Sequence, residues 1–202
     1  MERTLTTDEY LAEPEAMVRR ELVWGVVREP PSPFRKHQGV VTQATVLLAE
    51  HVQDHRLGRV YVSPLDVVFD REKALVLQPD VMFVSRDRYG ILNNFVEGPP
   101  DLVVEIISEG SERYDRVSKL QWYRDYHVRE YWVIDPEART IEVIHLDGEV
   151  LERRTFHGDD AIRSKVLPTF EGTANAFFLM GWRQRRPTGR SGSARSGRKS
   201  RR

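Results

Sequence analysis

The 202-residue chain contains no cysteine. That excludes a disulfide framework and any thiolate metal site, and it suits a reducing cytoplasm. Long apolar runs are missing too. None approaches the ~20 residues needed to cross a bilayer, and the opening "MERTLTTDEYLAEPEAM" lacks the apolar stretch of a secretion signal. A cytoplasmic protein with no membrane association is therefore expected. Net charge is also absent, because 31 basic residues balance 31 acidic ones. The two signs are unevenly spread. The closing segment "RQRRPTGRSGSARSGRKSRR" holds nine basic residues and no acid, which leaves 22 basic against 31 acidic in the body, a net −9. No large apolar side chain follows Trp182, so residues 183–202 are expected to form a disordered basic tail behind one folded domain, 1–182. Such a tail either holds phosphates without reading sequence or is simply solvated.

What is present is an ordered alternation of helix and strand signals. Thr6 or Thr7 opens a short helix with Glu9 and Tyr10 in its first turns. "RELVWGVVRE" (20–29) reads as strand with a bend or hairpin at Gly25, and "PPSP" (30–33) breaks the chain. Val40, Val41, Ala44, Leu47, Leu48, His51 and Val52 fall at helical spacing and predict a helix over about 37–56, ended by Gly58. Strands follow over 59–69, 75–85 and 101–108, then a second helix over 112–126. "REYWVID" and "RTIEVIHL" form a hairpin across "PEA", and "DG" at 147–148 turns the chain into "EVLERRTF". The expected fold class is α/β. It has a mixed central sheet, the two longer helices on its opposite faces, and an antiparallel extension over 130–156.

Two carboxylates disturb this pattern. Asp80 stands in "LVLQPDVMFVS" and Glu105 in "PDLVVEIIS", each inside a strand that is apolar on both faces. A buried charge costs several kcal/mol unless it is paired or bound to metal. If the strands are neighbours, the two acids converge, and converging acids share a proton, pair with a buried Arg or Lys, or hold a hard cation such as Mg²⁺. On the helix "SERYDRVSKLQWYRDYHV", Asp115, Lys119, Trp122, Tyr123 and Tyr126 share one side. That side would pack on the sheet and carry Lys119 towards the acids. Val117 and Leu120 lie roughly opposite, which leaves a solvated Lys119 as the alternative.

Pro79-Asp80 followed by Glu105-Ile106-Ile107 resembles the signature of the restriction-endonuclease-like superfamily: a PD, a spacer, then (D/E)xK. More closely, the chain resembles the bacterial Uma-two family of nucleases within it. The matching pieces are "RELVWGVV", "PPSPFRKHQGVV", "SPLDVVF", "QPDVMFVS", "GPPDLVVEIIS", Asp115-x3-Lys119-x3-Tyr123, "REYWVIDPEARTIEV" and "LPTF", in order over roughly residues 8–178. The bare PD/(D/E)xK pattern is short, and the ordered set of longer matches carries the resemblance. Ile107 stands where the signature has lysine. The resemblance implies that this lysine has moved to the following helix, where Lys119 fits. It also implies an additional acid at Glu21, which on sequence alone is only a charge at the start of a strand. His37 has a similar match, but it also reads as a cap or surface histidine and stays outside the expected site.

The resemblance implies a restriction endonuclease-like core and Mg²⁺-dependent hydrolysis of DNA phosphodiesters, with Mn²⁺ as a substitute. Asp80 and Glu105 would hold the metal, Lys119 would act on the attacking water and the developing charge, and Glu21 would assist. Replacing Lys119 by alanine is expected to spare the fold. DNA is the implied partner, with a homodimer admitted. Two rivals stand beside this reading: a catalytically silent DNA- or protein-binding module on the same fold, and a two-carboxylate glycoside hydrolase.

Overall fold

The structure, a computed structural model, describes residues 4–14 and 18–179. The basic tail lies outside the described residues. Thr6 caps the first helix, α1 (Thr7–Leu11): its side chain accepts the Glu9 N–H while the Glu9 carboxylate accepts the Thr6 N–H. The 20–29 segment is the expected hairpin, β1 (Glu21–Val23) and β2 (Val26–Arg28). Its two-residue turn, Trp24-Gly25, has both residues at positive φ, as the tight turn between right-twisted strands requires. The long helix α2 runs over Arg35–Asp54. Gly58, read as its stop signal, opens β3 (Gly58–Val62) instead, where a Cβ would fall 2.1 Å from the Val84 carbonyl oxygen.

Two expected strands are each divided. The 59–69 segment becomes β3 and β4 (Val67–Asp70), broken at Ser63-Pro64. The 75–85 segment becomes β5 (Leu75–Leu77) and β6 (Val81–Ser85), broken at Gln78-Pro79-Asp80. Proline has no N–H to give to a ladder, so both breaks fall where the ladder cannot continue. The remaining strands are β7 (Val96–Glu97), β8 (Leu102–Ile106), β9 (Glu130–Asp135), β10 (Thr140–His145) and β11 (Glu152–His157). Between β8 and β9 the helix expected over 112–126 is present, but its middle, Tyr114–Lys119, is wound as a π-helix before α3 (Leu120–Asp125).

The single mixed sheet expected from sequence is therefore two mixed sheets. One has the order β2-β1-β5-β4-β7, and the other β11-β10-β9-β8-β6-β3. In the larger sheet only β8 and β9 run parallel, and the 130–156 extension is the antiparallel continuation β9-β10-β11. Val40, Val41, Ala44, Leu48 and Val52 of α2 pack on Val81, Phe83, Val104, Ile106 and Trp132 of one face. Each fully buried Val, Leu or Ile side chain among them contributes roughly 1.5–3 kcal/mol. Tyr123 of α3 and the smaller sheet's Val67, Leu75 and Leu77 close over the other face, on Met82, Val103 and Tyr131. Among the described residues no helix is long and apolar enough to cross a membrane.

Candidate active site

Strands β6 and β8 are antiparallel neighbours, with Val81 opposite Val104. That register sets Asp80, just ahead of β6, beside Glu105, and alternation turns both towards the covered face shared by Met82 and Val103. Glu21 reaches the same place from the first residue of β1, and Lys119 from the π-helical turn. The structure thus brings together all four residues singled out from the sequence, and all are buried. Lys119 Nζ donates to Glu105 Oε1 at 2.7 Å and lies 3.1 Å from Glu21 Oε1 and 3.6 Å from Asp115 Oδ1. Ile107, the signature's own lysine position, lies just past the end of β8, packs against the Met82–Val103 cluster and lines a neighbouring cavity.

Four further groups complete the cluster. The Tyr123 hydroxyl donates to Glu105 Oε1 at 2.6 Å, and the Tyr114 hydroxyl to Glu21 Oε2 at 3.2 Å. His37, left out of the expected site, has Nε2 3.3 Å from Asp80 Oδ2, while its buried Nδ1 has no partner among the described residues. The fourth group is Arg19. Its Nη1 donates to Asp80 Oδ1 at 2.6 Å, and its Nη2 donates to the Gln78 carbonyl at 2.5 Å and to Glu105 Oε2 at 3.3 Å. No sequence signal marks Arg19, because one of several successive charges at the start of a strand has no periodicity to betray its direction. The cluster opens into a cleft of about 290 Å³ lined by Arg19, His37, Asp80, Glu105, Tyr114 and Lys119, among others.

Burial would raise every carboxyl here, and the local charges decide which ones follow. At Asp80 the Arg19 guanidinium, then His37 and Lys119, overcome burial and hold the group well below the usual carboxylate range. At Glu105 burial wins. Lys119 and Arg19 oppose it, the Asp80 charge adds to it, and the group is pushed up to about 7. Glu21 is lowered, because Lys119 and Arg19 outweigh its burial. Burial would lower the Lys119 ammonium, but Glu105 and Glu21 raise it further, so it stays charged. One acid held ionised beside one that protonates near neutrality is a pairing found at reactive sites.

Among the described residues no group of three or more His, Cys, Asp or Glu side chains has the arrangement of a metal cage. The donor set nevertheless fits Mg²⁺, which commonly takes one or two protein carboxylates and fills its other positions with water and substrate phosphate. Asp80 Oδ1 and Glu105 Oε2 are hard oxygens that already converge on one cation, the Arg19 guanidinium.

The model of the Uma2 family, described as "Putative restriction endonuclease", matches residues 7–175. The chain belongs to the Uma2 family. In fold it is similar to a nuclease of the DUF820 group from Anabaena variabilis, described as "putative" in its crystal structure. The TM-score is 0.73 and the identity 20%, over 87% of this chain and 98% of that one. No curated protein matches. The Uma2 assignment agrees with the restriction endonuclease-like core read from the sequence, and at 20% identity the structural likeness speaks for the fold alone.

Proposed function

We propose that this Uma2 chain is a Mg²⁺-dependent DNA endonuclease, acting in the cytoplasm, with Mn²⁺ able to replace Mg²⁺. The observation that carries the reading is the juxtaposition of Asp80, just ahead of β6, and Glu105, on the adjacent β8, with Lys119 against Glu105. Asp80 and Glu105 would hold the metal, which when bound neutralises charge on the scissile phosphate and acidifies water. Lys119 keeps a fixed positive charge over the phosphate's developing charge and orients the attacking water. Glu21 and Asp115 hold the ammonium from its other sides, and Tyr123 fixes the Glu105 carboxylate. A silent module would be favoured by an empty lysine position, and Lys119 fills that position. A sugar hydrolase needs two acids spaced around an open sugar cleft, whereas these acids are crowded between two cations.

The test is cleavage of plasmid DNA in Mg²⁺. Chelation should stop it, added Mg²⁺ or Mn²⁺ should restore it, and Asp80→Asn serves as the blank. Cutting that persists in chelator would end the metal-dependent reading.

The body's net −9 makes the tail the natural source of phosphate contacts. Removing 183–202 should weaken DNA binding and flatten its salt dependence, by about 0.9 in log–log slope per lost duplex phosphate contact. Binding isotherms at several salt concentrations measure this, and an unchanged slope would mark the tail as inert.

A further inference from the structure

Arg19 differs from the other cation of the site. Lys119 is the more enclosed, its side chain 3% exposed and flanked by three carboxylates on regular elements. Arg19 precedes β1, lines the cleft, and leaves 23% of its side chain exposed. Once the fixed donors are assigned, Asp80 Oδ2 belongs to the Ile106 N–H at 2.8 Å, and Glu105 Oε1 belongs to Lys119 and Tyr123. Asp80 Oδ1 and Glu105 Oε2 remain, and among the described residues Arg19 is the donor to both. Those are the two oxygens that a shared cation between the acids must use. The guanidinium is itself incompletely matched, since its buried Nε has no partner among the described residues.

We propose that Arg19 is a resident competitor for the metal position: its guanidinium and a divalent cation exclude each other at the Asp80–Glu105 pair. The inference rests on the metal-dependent reading above and adds to it a built-in control of metal loading. The charges support an exchange. Among the described residues four buried acids, Glu21, Asp80, Glu105 and Asp115, face Arg19 and Lys119, with His37 beside Asp80. Once Glu105 is ionised the acids outnumber the fixed cations, and replacing a single positive charge by a double one moves the cluster towards balance. Steric logic makes the two states alternatives, because a metal ligated by both oxygens leaves no room for a guanidinium bonded to the same pair. Arg19 has somewhere to go, as it already borders the cleft. Metal affinity of the free protein is then set by the cost of moving Arg19, as for any site whose competent state is only partly populated.

The experiment is calorimetric titration of Mn²⁺ into the DNA-free full chain, comparing parent, Arg19→Ala, Arg19→Gln and Arg20→Ala. Arg20 is the charge control, because its guanidinium pairs with Glu13 and Glu29 and touches neither acid. The proposal expects both Arg19 variants to bind Mn²⁺ at least tenfold more tightly than the parent, with Arg20→Ala within about twofold of it. Arg19→Gln keeps hydrogen-bonding capacity, so the comparison survives if the alanine variant folds poorly. As a second readout, Mn²⁺ should raise the melting temperature of the Arg19 variants more than that of the parent. Equal affinity in parent and Arg19 variants would sink the exchange and leave the metal reading standing. Equal tightening by Arg19 and Arg20 variants would also sink it, as a general effect of charge. No Mn²⁺ binding by any of the four proteins would remove both.

Discussion

Lys119→Ala should lower DNA cleavage by about 10²–10³-fold, the usual effect of deleting one charge stabiliser of a transition state. It should also destabilise the protein. From the sequence this lysine looked removable without harm to the fold, but its burial overturns that expectation. The ammonium is flanked by Glu105, Glu21 and Asp115, and taking one partner from a buried ionic cluster costs about 3–5 kcal/mol. Cleavage must therefore be measured per folded molecule, well below the melting transition, with a control that loosens the same site while keeping its charge. Tyr123→Phe is that control, since it removes the other donor to Glu105 Oε1 and leaves the ammonium. It should cost stability and lower cleavage far less than Lys119→Ala does. Lys119→Arg should rescue poorly, because a planar guanidinium does not fit a pocket shaped to a point charge. If folded Lys119→Ala cuts as fast as the parent, the lysine is structural and the proposed chemistry is wrong.

The second large effect is one of pH. Glu105 is raised from an ordinary carboxyl value of 4.5 to about 7 by burial. Between these values the unfolded chain has released this proton while the folded chain retains it, so the folded state binds more protons and stability falls as pH rises. The loss from this group should reach roughly 3 kcal/mol by pH 8, at about 1.4 kcal/mol per pH unit of displacement. Asp80 and Glu21 act with the opposite sign. They are lowered, so the stability they contribute is lost only as pH falls below their unfolded values, outside this window. Denaturant titrations of metal-free protein at pH 5 and pH 8 would measure the fall, and in Glu105→Gln it should largely vanish. Subtracting one protein from the other isolates the part of the pH dependence that belongs to position 105. The proton on Glu105 must leave before the carboxylate can hold a metal, so apparent metal affinity should rise with pH up to about 7 and then level. A parent and a Glu105→Gln protein with the same pH dependence would show that Glu105 titrates normally.

The parts of this site that could be read in advance were those at odds with their surroundings. Asp80 and Glu105 stood out because a carboxylate inside an apolar strand needs a partner. Lys119 could be placed because helical spacing put it on the side of Tyr123, and that tyrosine is fully buried beside the same acid. Glu21 came from the family resemblance alone, since three residues of strand are too few to define a face. Periodicity joined Leu75 to Ser85 in one strand because both halves are apolar. Pro79 marks the break locally, but the partners each half finds, β1 and β4 or β3 and β8, lie too far along the chain to leave a local trace. The π-helical winding was hidden for the same reason: one widened turn does not alter the residue types that favour a helix. Arg19 was beyond pattern altogether, as its role comes from tertiary convergence, while His37 had a family match and was set aside because it also read as a cap or surface histidine.

The division of 75–85 between two sheets has a consequence for how the protein is made. Glu21 belongs to the smaller sheet, Glu105 to the larger, Asp80 to the short link that carries the chain between them, and Lys119 to a helical turn that arrives later in the sequence. No single layer holds a working set. A nascent chain with one sheet formed, or a damaged one whose layers have parted, has its acids scattered and cannot cut. If the chain is the proposed endonuclease, competence and complete assembly coincide, which would protect a cell's own DNA from half-made copies.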